Sequence, residues 1–130
     1  MTRLCVVGSD RFPIDAVIGG QVVDVIRAAK PEVILTRGGP HFDQFVTKVA
    51  TLLGIPVILF PARGGSDNWE RDVELAGQAN QVMAFLAPDS LSVEKMSGTQ
   101  HVIEKAMDQR KPVRAYTTVD QRLVWAGELP

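Results

Sequence analysis

Glycine and a basic side chain occur together in four loops of this 130-residue chain, each between a short apolar run and a helical pattern. The four loops are Gly8-Ser9-Asp10-Arg11, Arg37-Gly38-Gly39, Arg63-Gly64-Gly65-Ser66 and Lys95-Met96-Ser97-Gly98-Thr99. A helical pattern follows each loop, so all four are expected along the carboxyl edge of a parallel sheet, where open sheets bind ligands. The repeated pattern predicts one anion-binding crevice.

The last loop carries the strongest single signal, because Ser97-Gly98-Thr99 stands at the start of an amphipathic helix. Free backbone N–H groups and the helix dipole form an anion site there, and glycine lets a phosphate approach the backbone. The alternative is a purely structural role, in which Ser97 and Gln100 form a capping box. Both interpretations stay open from the sequence.

Arginines provide the second signal, since arginine binds phosphate bidentately and stays charged. They are Arg11, Arg37 and Arg63 in three successive loops and Arg71 on the following helix. Each alone could be a solvated surface arginine, but convergence of two or more favours a phosphorylated ligand. Asp43, in the turn after Gly38-Gly39-Pro40, could accept ribose hydroxyl groups or only stabilise a helix N-terminus.

The sequence does not contain the motifs of several other kinds of functional site. The dinucleotide fingerprint and the Walker A sequence are absent after the first strand. His41, His101 and Cys5 do not have zinc-ligand spacing, so neither a metal nor a cofactor is predicted. Ser9 is not in a nucleophile elbow. No pair of carboxylates has a spacing fixed for acid–base work among Asp10, Asp15, Asp67, Glu70 and Asp72.

Alternating strand and helix patterns place these loops. Uninterrupted apolar runs predict strands at Leu4–Val7, Val33–Thr36, Pro56–Phe60, Gln81–Leu86 and Val113–Tyr116. Stripes with a 3.6-residue period predict helices over Ile14–Ala29 and His41–Leu53, a short one from Asp67 to Ala76, and one from Gly98. Gly19 and Gly20 weaken the first helix, and Gly54 suits a left-handed C-terminus.

This order predicts one α/β domain over residues 1–130, a Rossmann-like three-layer sandwich with a mainly parallel sheet. The tail Arg122–Ala126 could add an edge strand in a hairpin or, through Trp125, form a subunit contact such as a homodimer. A net charge of −1 and a pI of about 6.1 argue against nucleic acid as a partner. No signal peptide or membrane span is recognised, so a cytoplasmic protein with Cys5 buried in a strand is expected.

Short fragments in a fixed order resemble the SLOG superfamily, and within it the YspA-like branch. The fragments are Val6-Val7-Gly8-Ser9-Asp10-Arg11-Phe12, Gly38-Gly39-Pro40-His41-Phe42-Asp43, Phe60-Pro61-Ala62, Arg71-Asp72-Val73-Glu74-Leu75, Ser97-Gly98-Thr99 and Lys111-Pro112-Val113. The resemblance implies a Rossmann-like domain that binds a nucleotide or a nucleotide-derived ligand. The family includes LOG-type phosphoribohydrolases, whose catalytic arginine resembles Arg71 and whose catalytic glutamate falls on Val102.

Valine cannot stabilise an oxocarbenium ion, which turns the expectation from cleavage to binding. The leading hypothesis is a module that senses or sequesters a phosphorylated nucleotide derivative. The residues expected to bind it are Gly8, Ser9, Arg11, Gly38, Gly39, Asp43, Arg71, Gly98 and Thr99. The alternatives are an N-glycosidic hydrolase or transferase acting on nucleoside monophosphates, with another carboxylate replacing the glutamate, and a DNA-binding module.

Overall fold

Six strands and four helices alternate along the chain in the computed structural model. It describes residues 2–9, 11–39, 41–61, 67–87, 98–120 and 122–129, with backbone alone at 67–69, 98 and 128–129. The strands are β1 (Arg3–Gly8), β2 (Val33–Thr36), β3 (Val57–Leu59), β4 (Gln81–Phe85), β5 (Val113–Val119) and β6 (Arg122–Leu129). The helices are α1 (Ala16–Ala28), α2 (Phe42–Leu53), α3 (Asp67–Gln78) and α4 (Gly98–Asp108).

The strands form one sheet in the order β3-β2-β1-β4-β5-β6. The first five are parallel and β6 pairs antiparallel with β5. This confirms the predicted α/β sandwich with a mainly parallel sheet, and the edge strand expected after β5. The chain runs outward from β1 to β3 and then returns to β4. The strand order therefore reverses between β1 and β4, which is where open α/β sheets bind ligands.

Successive residues of β1 face opposite layers, as the two-residue period of a strand requires. Leu4 and Val6 pack with α1 and α2, whereas Cys5 and Val7 pack with α3 and α4. Both sets are almost fully buried, so the sheet is covered on both faces and the unalternated apolar runs are explained. Within the described ranges, no helix is long and apolar enough to cross a bilayer.

Element boundaries differ from expectation where side chains or pairing decide them. Helix α1 begins at Ala16 because the Asp15 carboxylate accepts from Ile18 N at 2.8 Å, and it continues unbroken through Gly19 and Gly20. Pairing with β6 extends β5 beyond Tyr116. Helix α3 continues two residues beyond Ala76, and β3 is shorter than expected. Gly54 has a φ of 70°, as predicted for a helix C-terminus.

Candidate functional site

Three of the four glycine-containing loops contribute described residues to the carboxyl edge of the sheet. Gly8 ends β1, Arg37 directly follows β2, and Gly98 begins α4. Asp10, Pro40 and the segments Arg63–Ser66 and Lys95–Ser97 lie outside the described residues. Within the described residues, one side chain connects these separate parts of the carboxyl edge.

That side chain is Arg37, whose guanidinium joins β1, β2 and α4. Its Nη2 donates to the carbonyl oxygen of Gly8 at 2.8 Å and to the hydroxyl of Thr99 at 3.2 Å. Thr99 lies in the first turn of α4 and is 1% exposed. The Arg37 side chain is 11% exposed, so it is not a solvated surface arginine. The contacts place a buried cation beside the start of α4.

Asp43 provides the negative charge nearest to this guanidinium. Its Oδ2 lies 3.6 Å from Arg37 Nε and accepts from Gly39 N at 3.0 Å. Its Oδ1 accepts from Thr36 Oγ1 at 3.4 Å, and the side chain is 4% exposed. Gly38 takes a positive φ of 73°, a conformation that suits glycine. Asp43 therefore fixes the turn between β2 and α2 and partly balances Arg37.

Gly8 and Ser9 are held tightly within the protein. A Cβ at position 8 would overlap the ring of Phe42, so glycine is required for this packing. Ser9 N donates to Phe85 O at 2.9 Å, which ties the end of β1 to the end of β4. The Ser9 hydroxyl accepts from Arg11 N at 3.3 Å, and Arg11 is exposed. Gly8 thus makes room for the buried Phe42 ring, and its carbonyl oxygen also accepts from Arg37 at the carboxyl edge.

Arg71 belongs to a second buried network. Its Nε donates to Asp72 Oδ1 at 2.6 Å, and its Nη1 donates to Phe60 O at 3.1 Å. The other Asp72 oxygen lies 2.8 Å from Nδ1 of His101, which joins α3 to α4. Each of these three side chains is less than 10% exposed. Asp72 therefore joins α3 to α4, and Arg71 joins α3 to Phe60, the residue that follows β3.

Two buried polar atoms near the carboxyl edge make no hydrogen bond within the described part of the chain: Arg37 Nε and the Thr117 hydroxyl. The 3.6 Å between Arg37 Nε and Asp43 is an ion-pair distance, too long for a hydrogen bond. Thr117 lies one residue beyond Tyr116, the β5 partner of the last β4 residue, Phe85. Its hydroxyl is on the face that Val113 presents to the α3–α4 core. Both atoms retain hydrogen-bonding capacity.

An aromatic cluster supports the edge from the α1–α2 side. Phe42 packs between Phe12 and Phe85, with ring centroids 5.5 Å and 5.2 Å away, and Phe85 stacks on Tyr116 at 5.3 Å. These rings come from the first loop, α2, β4 and β5. These apolar ring contacts pack directly beneath Gly8, at the end of the sheet where Arg37 lies.

The remaining sequence candidates take structural positions. Val102, where the family has its glutamate, is 0% exposed in the α3–α4 core. Trp125 lies on the outer strand β6 and is 60% exposed, and a homodimer through it stays a prediction. Among the described residues, no three His, Cys, Asp or Glu side chains are grouped as a metal site would need. Burial raises the pKa of the Cys5 thiol to about 12, as expected for a core cysteine.

Sequence reasoning undervalued Arg37, Asp72 and His101. Arg37 was one of several arginines, although among them it alone directly follows the last residue of a predicted strand, Thr36. Asp72 and His101 occupy the buried stripes of their helices, with Leu75 and Val102 respectively. A charged residue within an apolar stripe is a signal for a buried partner. That signal was present, but it does not name the partner.

The fold and this edge define a doubly wound α/β domain with a buried arginine, Arg37, beside the point where strand order reverses. Comparison with protein-family models, curated proteins and solved structures found no match. The resemblance to the SLOG superfamily accordingly stays a prediction.

Proposed function

We propose that this domain binds a phosphorylated nucleotide derivative at the carboxyl edge of its sheet, between β1 and the start of α4. The observation that carries the proposal is the pair of contacts from Arg37 to Gly8 and Thr99. Through one guanidinium they connect the ends of β1 and β2 to the first turn of α4. A phosphate bound there would meet the Arg37 charge and the first N–H groups of α4.

Electrostatics favour an anion at this position. A cation beside a helix N-terminus is unfavourable by itself, because the helix start carries partial positive charge. The negative charge of Asp43 offsets the positive charge of Arg37 only in part, because its Oδ2 lies 3.6 Å from Arg37 Nε and also accepts a hydrogen bond from Gly39 N. A phosphate would be attracted by the helix and the guanidinium together. The Arg37 Nε–H could donate a further hydrogen bond to it, and the Thr117 hydroxyl, on the second strand from β1, could meet another polar group of the ligand.

Three carboxylates in the described part of the chain have structural roles, which supports binding over cleavage. Asp15 caps α1, Asp43 holds the β2–α2 turn, and Asp72 is bonded between Arg71 and His101. None of the three is a solvated carboxylate beside the start of α4. Hydrolysis of an N-glycosidic bond would need a carboxylate at the reacting sugar. We therefore favour a sensing or sequestering module over a hydrolase.

The first experiment identifies the ligand. Protein purified from cells is denatured, and the released small molecules are analysed by mass spectrometry. The purified protein is then titrated calorimetrically with nucleoside mono-, di- and triphosphates. We expect micromolar affinity for at least one phosphorylated nucleotide. A protein that releases no nucleotide and binds none of this panel would refute the proposal.

Thr117→Val tests the crevice with little risk to folding, because the Thr117 hydroxyl makes no bond to lose within the described structure. The matched control is Thr118→Val, a neighbouring position with the same 7% exposure that faces the other layer of the sheet. We expect the first variant to weaken nucleotide binding severalfold and the control to leave it unchanged. Equal affinities for the two variants would exclude Thr117 from the site.

A further inference from the structure

A cavity of about 320 Å³ lies next to the proposed phosphate site, on the side of the edge strand β3. Its walls are the Gly38–Gly39 turn, Leu59 at the end of β3, and one side of α2 with Gln44, Thr47 and Lys48. Asp43 also contributes to the wall. We call this space the β3 cavity. Asp43, which contacts Arg37, therefore lines the same cavity as Gln44, Thr47, Lys48 and Leu59, four residues that the sequence analysis did not connect with binding.

Leu59, which is 52% exposed, contributes an apolar side chain to the wall of the β3 cavity. A Cβ at position 38 would lie only 3.5 Å from this side chain, so leucine and the glycine turn form adjoining walls. When an apolar group of a ligand covers an exposed leucine, the free energy of the complex is lowered. A surface built from a leucine and bare backbone suits a flat ring, because no bulky side chain stands over it.

Polar groups stand on the α2 side of the cavity. Gln44 and Lys48 are both exposed and are four positions apart, so they lie on the same side of the helix, one turn from each other. A glutamine amide offers both a donor and an acceptor, which matches the edge of a nucleobase. The ammonium group of Lys48 is a further donor. A largely apolar pocket with a few polar groups is typical of small-molecule sites.

The distance from the phosphate site gives the length of the ligand. Strands β1 and β3 are separated by β2, so their ends lie about 10 Å apart at the usual strand spacing. A ligand with its terminal phosphate at Arg37 and its ring beside Leu59 must bridge that distance. A nucleoside diphosphate has this reach, whereas inorganic phosphate or pyrophosphate would occupy only one end.

From these observations we infer that the β3 cavity is the base-binding subsite of a nucleoside diphosphate. The base packs on Leu59 and meets Gln44, the ribose lies over Gly38 and Gly39 beside Asp43, and the phosphates reach Arg37 and the start of α4. This inference rests on the proposed function, because it extends the same ligand outward from the phosphate site. It adds the ligand class and the residues that would select the base.

The test compares Leu59→Trp with Ile58→Trp by calorimetry, using ADP, GDP, CDP, UDP and pyrophosphate as probes. Leu59 lines the cavity, whereas Ile58 is the preceding residue of the same strand, points to the opposite face and is 44% exposed. For the wild-type protein we expect at least one nucleoside diphosphate to bind at least tenfold more tightly than pyrophosphate. Leu59→Trp should remove that advantage and leave pyrophosphate binding unchanged, while Ile58→Trp should retain it.

Gln44→Ala provides a second variant if tryptophan at position 59 prevents folding, because Gln44 is exposed and its truncation leaves no cavity in the core. It should weaken binding of the preferred diphosphate severalfold without affecting pyrophosphate. Wild-type protein that binds pyrophosphate and all four diphosphates equally, or variants that leave diphosphate affinity unchanged, would overturn the base subsite while the phosphate site stands. Wild-type protein that binds none of the five probes would overturn the base subsite, and if it also bound no nucleoside mono- or triphosphate, both proposals would be refuted.

Discussion

The Nη2 group of Arg37 donates to the carbonyl oxygen of Gly8 at 2.8 Å, although the two residues are 29 positions apart in the chain. This bond connects the ends of two neighbouring parallel strands at the edge where the sheet carries its loops. The same nitrogen reaches Thr99 in α4. One guanidinium therefore links elements that stand on both sides of the point where strand order reverses.

Replacement of Arg37 by methionine should destabilise the protein by about 3 kcal/mol, since it leaves the buried Asp43 carboxylate without its cation. Urea unfolding measures the change. The control is Arg27→Met on α1, whose pair with Asp24 spans 3.9 Å between exposed side chains. We expect that control to change the free energy of unfolding by less than about 1 kcal/mol. Equal decreases in the free energy of unfolding for both variants would show that the buried Arg37–Asp43 pair stabilises the protein no more than the exposed Arg27–Asp24 pair.

Gly8→Ala should destabilise the fold by about 1–3 kcal/mol, because the new methyl group overlaps the Phe42 ring and forces the aromatic cluster to move. Gly20→Ala is the matched control. A Cβ at position 20 meets no atom within 4 Å, and alanine favours the helix interior, so a gain of about 0.5–1 kcal/mol is expected. Thermal unfolding of both variants tests the pair. A stable Gly8→Ala protein would contradict this packing requirement.

The contrast between these glycines shows what the sequence could and could not predict. Gly8 was expected to give a ligand access to the backbone, and its position at the carboxyl end of β1 followed from the apolar run before it. That Phe42 packs on it depends on how α2 crosses the sheet. Such a contact between positions 8 and 42 has no local signature, because it is created by the packing of two separate elements.

The same limit applies to the site. The strands and helices were predictable because burial on both faces imposes long apolar runs and 3.6-residue stripes. Arg37 and Thr99, by contrast, are 62 positions apart, and their contact follows from the strand order β2-β1-β4. Loop chemistry therefore predicted a shared edge. It could not predict which of the arginines reaches across it.

Asp72→Asn should lower the free energy of unfolding by about 3 kcal/mol, because the carboxylate between Arg71 and His101 is buried and the Arg71 cation would lose its counter-charge. Urea unfolding again gives the measurement. Glu70→Gln, an exposed acid on the same helix, should change stability by less than about 0.5 kcal/mol. If asparagine at position 72 proves harmless, the α3–α4 contact depends on apolar packing alone.

The Cys5 thiol gives a pH-dependent prediction. Burial raises its pKa from an ordinary value of 9.0 to about 12, and Arg37 opposes this shift only in part. In the unfolded chain the thiol ionises first, so its contribution to stability is complete below pH 9 and is lost as the pH rises towards 12. The free energy of unfolding should fall by about 1.4 kcal/mol per pH unit in that interval.

Cys5→Ala isolates this effect because it removes the titrating group and leaves every lysine, tyrosine and arginine in place. The difference in unfolding free energy between wild type and variant should be constant from pH 7 to pH 8 and then shrink above pH 9, where the wild type loses the thiol contribution. Urea titrations under reducing conditions measure both proteins at each pH. A difference that stays constant to pH 11 would mean that the thiol has the same pKa in the folded and unfolded chain, and would contradict a pKa raised by burial in β1.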